Sequence, residues 1–172
     1  MTILITNIED PPPDYRYMYE DWPRMAQQFQ LLMPCTLTSI KIMLAMCEGY
    51  GLTGTAVLKI YASDGDFRDD ESIPTGSPIA TSTNTLDVSS LENIDDGGDW
   101  TEVEFAFDED ELEAGVYFVA LEVDDVDTNE YASALAFGDD DTGWYDCLGA
   151  GLGSFAWYDG GEEVWVSCYD LD

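Results

Sequence analysis

Apolar side chains alternate with a period of two residues through most of this chain, which is the pattern of β-strands that bury one face. Three segments show it most clearly, and their inward residues are Ile40, Ile42, Leu44 and Met46, then Ala56, Leu58 and Ile60, then Val103, Phe105 and Phe107. Glu102 and Glu104 occupy outward positions of the third segment. Residues 115–123 are apolar on both faces, so we expect this strand to be central or to have its second face covered.

Short clusters of Gly, Pro and Asp separate the alternating segments and predict turns. They lie at residues 49–51, 64–66, 74–78, 96–99, 114–115 and 159–161. No long segment shows a convincing helical period, so we expect only short helical turns near 87–91 and at 108–114. Strands at this spacing predict an all-β fold: an antiparallel two-sheet β-sandwich of jelly-roll type, formed by residues 25–172 as a single domain.

Residues 1–24 are expected to form an N-terminal strand followed by an extended arm that is rich in proline and tyrosine. Pro11, Pro12 and Pro13 are consecutive and fix a stiff, extended path. The residues we single out for assembly are Tyr15, Arg16, Tyr17, Tyr19, Trp22 and Arg24. Two alternatives stay open: the arm is a strap over its own sandwich, or it docks on a neighbouring subunit, since extended segments can complete a neighbour's sheet edge.

The chain is strongly acidic, with 37 Asp and Glu against 5 Lys and Arg, a net charge of −32, and no histidine. So few cations argue against binding to nucleic acid or to anionic membrane surfaces. The absence of histidine excludes Ser-His-Asp and Cys-His catalysis. Among 37 carboxylates some pair meets the spacing of a glycosidase by chance, so such a pair would not by itself indicate catalysis. We expect no enzymatic activity. The charge predicts a need for high salt or bound cations, as in proteins of salt-loving archaea.

Acidic loops make calcium the expected cofactor, because Ca²⁺ takes carboxylate and carbonyl oxygens as ligands. The candidate ligands are Asp64, Asp66, Asp69, Asp95, Asp99, Asp124 and Asp127. None of these clusters matches the twelve-residue EF-hand loop. The alternative is that the same carboxylates are solvated loop charges.

Two aromatic clusters have the composition of a glycan site, where ring faces contact the C–H groups of a pyranose and carboxylates or amides bind its hydroxyls. Their residues are Trp144, Tyr145, Trp157 and Tyr158. The same residue types are enriched in protein interfaces and occur in cores. Glycan binding and an interface or core role therefore both stay open.

No apolar stretch suits a signal peptide or a membrane span, so we expect the chain to fold in a cytoplasm. Structural disulfides among its four cysteines are then disfavoured. Cys35 and Cys47 cannot pair if residues 36–46 form one strand, because that strand spans about 36 Å and a disulfide needs Cα atoms within about 7 Å.

One series of motifs resembles a known kind of module. It comprises residues 26–29, 37–40, 52–61, 74–82, 86–91, 100–105 and 112–121. The order of these motifs resembles the jelly-roll, carbohydrate-binding-like β-sandwich modules of tailed-virus virion proteins and of anchored surface proteins of bacteria and archaea. The resemblance covers residues 26 to about 123 and rests on turn and core positions, so it implies a fold rather than an activity.

The missing export signal and anchor favour a virion component over an anchored surface protein. We therefore expect a non-enzymatic structural protein of a virus particle that assembles in the host cytoplasm: a capsid decoration, turret, head-fibre or tail-associated subunit. Its expected partners are copies of itself and other virion proteins. Its Lys-poor, Asp-rich surface favours a halophilic archaeal virus, whereas four cysteines and many aromatic residues fit that origin less well, so the host stays open. The alternative is a module that binds host glycan on a virion or cell surface.

Overall fold

The computed structural model describes residues 2–6, 14–18, 24–47, 53–69, 71–94, 97–124, 134–139, 155–159 and 161–167. The strands are β1 (Thr2–Thr6), β2 (Asp14–Met18), β3 (Arg24–Leu31), β4 (Cys35–Cys47), β5 (Thr55–Ser63), β6 (Pro74–Thr81), β7 (Leu86–Asp87), β8 (Thr101–Leu112), β9 (Gly115–Asp124), β10 (Ala134–Asp139), β11 (Phe155–Asp159) and β12 (Val164–Ser167). A short 3₁₀ helix spans Val88–Ser90. These ranges contain no helix that is long and apolar enough to span a membrane.

The strands form two sheets, which confirms the predicted all-β class. The larger sheet has seven strands in the order β12-β11-β3-β9-β5-β6, with β7 also paired to β5, and all its strand pairs are antiparallel. The smaller sheet has five strands in the order β1-β4-β10-β2, with β8 also paired to β4. Its pairs are antiparallel except that β1 runs parallel to β4.

The inward faces of the two sheets meet in one apolar core. The predicted inward residues of β4, β5 and β8 all belong to it, and Ile40, Leu58 and Phe105 are each 0% exposed. Glu102 and Glu104 point outward and are exposed, as predicted. Alternation in the sequence therefore identified the buried face of these three strands correctly.

The central strand of the larger sheet is β9, which lies between β3 and β5. Val119 and Leu121 face the core between the sheets, whereas Phe118 and Ala120 face outward and are also buried. They belong to a second apolar cluster on the outer face of the sheet, and Trp165 of β12 packs against that cluster. The prediction was that this strand is central or has its second face covered, and the structure shows both.

The two expected helical turns had different outcomes. A 3₁₀ turn forms at Val88–Ser90, where the Asp87 carboxylate accepts a hydrogen bond from the Ser89 amide at 3.0 Å. The helical turn expected at 108–114 is wrong, because β8 continues to Leu112. A bulge lets it continue: Glu109 has a φ of 57°, and the pairing with β4 shifts register at this point.

The N-terminal segment contributes two strands to the smaller sheet. β1 pairs with β4, and β2 pairs with β10 from Asp14 to Met18. Residues 14–18 thus run along this chain's own sheet, as in the strap alternative, while docking on a neighbour stays a prediction. Tyr19 and Trp22 lie outside the described residues.

β4 runs without interruption from Cys35 to Cys47. This is the condition under which these two cysteines are too far apart to form a disulfide. Cys147 and Cys168 lie outside the described residues.

Candidate functional site

A buried carboxylate lies on the outer face of the seven-stranded sheet. Glu122 belongs to β9 and is 1% exposed. Its neighbours in sequence, Leu121 and Val123, face the core, so alternation directs Glu122 to the outer face beside Phe118 and Ala120. A lone ionised carboxylate in such a position is costly, since burial removes its hydration.

Three side chains from the two flanking strands compensate that burial. Lys59 of β5 donates to Glu122 Oε2 with an Nζ–O distance of 2.6 Å. Tyr61, also on β5, donates its hydroxyl proton to Oε1 at 2.5 Å. Arg24 of β3 places its Nε 3.4 Å from Oε2. Both carboxylate oxygens therefore have donors, and the interactions tie β3, β9 and β5 together across the sheet.

Aromatic rings extend this arrangement toward β11 and β12. The Arg24 guanidinium lies 4.0 Å from the centre of the Tyr158 ring, which is a cation–π contact. Trp165 makes edge contacts with Tyr158 and Tyr61 at centroid distances of 5.5 and 5.9 Å. Tyr158 and Trp165 are half-buried. The Glu122 cluster is defined as Arg24, Lys59, Tyr61, Glu122, Tyr158 and Trp165.

The Glu122 cluster carries more positive than negative charge. Its two cations share one carboxylate, which leaves a formal charge of 2 − 1 = +1. Within the part of the chain that the structure describes, neither cation forms an ion pair with another carboxylate. Arg24 and Lys59 are 32% and 24% exposed, so this surplus reaches the surface of a chain whose net charge is −32.

The outer face of the five-stranded sheet offers a useful contrast. Lys41 of β4 pairs with Glu102 of β8 at 2.6 Å, the same distance as the pair of Lys59 with Glu122. The contrast lies in the acid, since Glu102 is 39% exposed whereas Glu122 is 1% exposed. The hydrogen bond to Glu102 raises the pKa of Lys41. In the Glu122 cluster, burial and then the hydrogen bond to Glu122 raise the pKa of Tyr61.

The loop between β5 and β6 packs beside the cluster on the same face of the sheet. The buried Gln28 of β3 organises it: its side-chain amide donates to the carbonyl of Asp66 at 3.0 Å and accepts from the Arg68 amide at 2.7 Å. Arg68 has a φ of 65°, a strained value for a residue with a side chain. The hydrogen bond from its amide to Gln28 offsets that strain and fixes the path of the loop.

Three of the predicted calcium ligands belong to this loop, and the carboxylates of two of them accept hydrogen bonds from its backbone. Asp64 accepts from the Ile73 amide at 2.7 Å and Asp69 from the Glu71 amide at 3.2 Å, while Asp66 contributes its carbonyl to the Gln28 contact. Of the other candidates, Asp99 precedes β8 and Asp124 ends β9. Asp95 and Asp127 lie outside the described residues.

No group of three or more Asp, Glu, Cys or His side chains is placed to hold a metal ion in the described part of the chain. The structure therefore does not bring the candidate aspartates together there. Binding of calcium stays a prediction.

The predicted aromatic residues are only partly brought together. Tyr158 belongs to the Glu122 cluster, and Trp157 precedes it in β11, paired in register with Met25 of β3. Trp144 and Tyr145 lie outside the described residues. Arg24, which was expected to serve an assembly arm, begins β3 and contacts both Glu122 and Tyr158, and its role in assembly stays a prediction.

Sequence reasoning missed Glu122, Lys59, Tyr61 and Trp165 as members of a site. A signal was present: Glu122 continues the apolar outer face of β9, and Lys59 is one of only two lysines in the chain and lies in the middle of a strand. An acid and a base at such positions are most stable when they face each other across neighbouring strands.

The edges of the sandwich differ in how they are protected. Ser82 pairs with β5, since its amide donates to the Leu58 carbonyl at 2.8 Å. Asn84 pairs with β8 through its side chain, donating to the Glu104 carbonyl at 2.9 Å and accepting from the Ala106 amide at 2.7 Å. Residues 82–84, here named the edge clamp, thus join the two sheets and cover the edge of β8.

Comparison with protein-family models, curated proteins and solved structures finds no match to this chain.

Proposed function

We propose that this protein is a non-enzymatic structural subunit of a virus particle that assembles through contacts between copies of the chain. The subunit is a capsid decoration, turret, head-fibre or tail-associated protein of a halophilic archaeal virus. The observation that carries the assembly part of the proposal is the position of β2. This strand comes from the proline-rich and tyrosine-rich N-terminal segment and is a terminal strand of the five-stranded sheet.

A terminal strand presents unpaired backbone amides and carbonyls, which can pair with a strand of another chain. The edge clamp covers β8 in the same sheet. In the larger sheet, the terminal strand β6 carries Pro74 and Pro78, which lack amide donors and blunt an edge. β2 is therefore better suited than β8 or β6 to addition of a strand from a second copy.

The connectivity supports a jelly roll as the detailed form of the sandwich. β3 pairs with β9 in one sheet, and their sequence neighbours β4 and β8 pair with each other in the other sheet. A two-stranded antiparallel ribbon that folds over the core in this way is the basic element of a jelly roll.

The test is the oligomeric state of the purified chain in molar NaCl, measured by light scattering and native mass spectrometry. Arg16→Pro and Tyr17→Pro each remove one β2 amide, and neighbouring residues point their amides to opposite sides of a strand. The variant that removes the amide on the open side of β2 should lose oligomers while retaining the fold. The variant that removes the amide facing β10 should disturb the pairing with β10. A wild-type chain that is monomeric at every salt concentration, and absent from mass spectra of purified particles, would rule the proposal out.

We also propose saccharide binding as a second function, because of the half-buried rings of Tyr158 and Trp165 beside two cations. Aromatic rings pack on the C–H faces of sugars, and charged side chains bind hydroxyl groups. Binding to a glycan array should fall in Tyr158→Ala and Trp165→Ala. Trp100→Ala, which alters a half-buried tryptophan just before β8, is the matched control. Absence of binding, or equal binding by all variants, would count against this function.

A further inference from the structure

We propose that Arg24 and Lys59 bind the carboxylate of an acidic sugar, such as a uronic acid, whose ring lies against Tyr158 and Trp165. This inference rests on the second proposed function and names the class of saccharide. The juxtaposition that carries it is a pair of partly exposed cations sharing a single carboxylate next to two half-buried aromatic rings.

The surplus of positive charge in the Glu122 cluster favours an anionic ligand. Glu122 neutralises one of the two cations, and no second carboxylate of the described residues pairs with either. Glu122 is 1% exposed and holds both cations in place from beneath, while their own exposed fractions are 32% and 24%. An incoming carboxylate would complete a pairing of two cations with two anions.

The second argument is the number of hydrogen-bond donors. A lysine ammonium has three N–H donors and an arginine guanidinium has five. Lys59 gives one hydrogen bond to Glu122, and Arg24 approaches it through Nε at 3.4 Å. Donors of both residues are therefore available to a ligand, and charge-assisted hydrogen bonds to a carboxylate are stronger than those to a neutral hydroxyl.

The adjoining aromatic rings favour a sugar acid over a simple carboxylate as the ligand. The Arg24 guanidinium is stacked on Tyr158, and Trp165 contacts the same ring, so the cationic surface continues into an aromatic one. A pyranose carboxylate combines an anionic group with a C–H face on one rigid ring. It can contact both parts of the surface at once and offers the cations a charge. A neutral sugar offers them only hydroxyl groups, which form weaker hydrogen bonds, and acetate has no ring face.

The net charge of −32 imposes an unusual salt dependence on such binding. Distant carboxylates repel an anionic ligand, and that repulsion is screened once the Debye length falls to about 10 Å, at about 0.1 M salt. The short contacts to Arg24 and Lys59 are screened less. Affinity for a uronate should therefore rise between about 10 mM and about 100 mM NaCl, opposite to the trend for an ordinary exposed ion pair.

The experiment is calorimetric titration of the whole chain with glucuronate, glucose and acetate as separate probes. Glucuronate should bind more tightly than either of the others. Lys59→Met should lower the affinity for glucuronate at least about tenfold, the size expected for loss of a charge-assisted hydrogen bond. Lys41→Met is the matched control, because Lys41 forms the equivalent pair on the other sheet, and should leave binding unchanged. Lys59→Arg, which keeps the charge, should retain binding.

Each contrary result has its own meaning. Glucose binding as tightly as glucuronate would overturn the acidic-sugar inference and leave saccharide binding standing. Acetate binding as tightly as glucuronate would overturn the role proposed for the sugar ring. No binding of any probe would overturn the inference, and a glycan array without hits would then overturn the second function as well. If Lys59→Met does not fold by circular dichroism, Tyr158→Leu takes its place, and unchanged glucuronate binding in that variant would overturn the proposal.

Discussion

Replacing Glu122 by glutamine tests whether the Glu122 cluster stabilises the fold. The substitution keeps the shape of the side chain and removes its charge. Tyr61 can still donate to the amide oxygen, but the two cations lose their shared anion. The matched control is Glu102→Gln, which breaks a pair with the same 2.6 Å distance at an exposed site.

The expected cost follows from burial. Removing one partner of a buried ion pair costs about 3–5 kcal/mol, because the other charge is left uncompensated. Arg24 and Lys59 are 32% and 24% exposed, so water can solvate them in part and the cost should be smaller. We expect about 2–3 kcal/mol, or a fall in Tm of about 4–12 °C for a chain of this length. Glu102→Gln should change stability little, since exposed pairs contribute little.

Urea unfolding followed by tryptophan fluorescence gives the free energy of unfolding of each variant. The measurement should be repeated in 1 M NaCl, where the Debye length is about 3 Å and exposed charges are well screened. The deficit of Glu122→Gln should persist there, because the Glu122 carboxylate itself is shielded from solvent. A deficit no larger than that of Glu102→Gln, or one that disappears in salt, would refute the reasoning.

Four further predictions follow from the same structure. Burial raises the pKa of Tyr61 above its usual value near 10, so the folded state keeps this proton longer than the unfolded chain; stability should be intact below about pH 10 and fall above it. Urea unfolding between pH 9 and about 12 should show a shallower alkaline loss in Tyr61→Phe, and an unchanged slope would contradict this. Phe105→Ala removes a ring that is 0% exposed and should cost about 3–5 kcal/mol in urea unfolding; a cost under about 1 kcal/mol would place the ring outside the core. Asn84→Ala removes two hydrogen bonds to β8 and should cost about 1–3 kcal/mol while increasing light scattering, since it uncovers an edge; the clamp has no protective role if neither quantity changes. Tm should rise steeply in molar NaCl because salt screens the charge of −32, whereas a flat response to both NaCl and CaCl₂ would refute a need for screening or bound cations.

The core of the fold was predictable because alternation alone assigns a strand to one buried face. Phe105 and Leu58 followed this rule and are fully buried. The end of β8 did not, because the acidic run at 108–111 has no apolar alternation and resembles a polar turn. Pairing with β4 keeps these residues extended around the bulge at Glu109, and that pairing is a long-range contact that no local pattern reveals.

The Glu122 cluster was hidden for the same reason. Its members come from β3, β5, β9, β11 and β12, and they meet only when the sheet order brings those strands side by side. Composition drew attention to clusters of aspartate along the sequence, such as Asp64 and Asp66. In the structure one of these carboxylates caps a backbone amide of its own loop, whereas the isolated Glu122 collects three donors.

The placement of the few cations explains how a chain of this charge forms a stable sheet and also bears on its function. A strand-centre carboxylate such as Glu122 is most easily buried where two neighbouring strands supply positive charge, and this chain has only five cations to supply. Two of them, Arg24 and Lys59, are used at one point, which leaves the surrounding surface more acidic. Formal neutrality at this point requires one cation to balance Glu122. The other cation exceeds that requirement, and Arg24 lies beside Tyr158. A carboxylate ligand would therefore be attracted to this face of an otherwise repulsive protein, rather than to any acidic loop described.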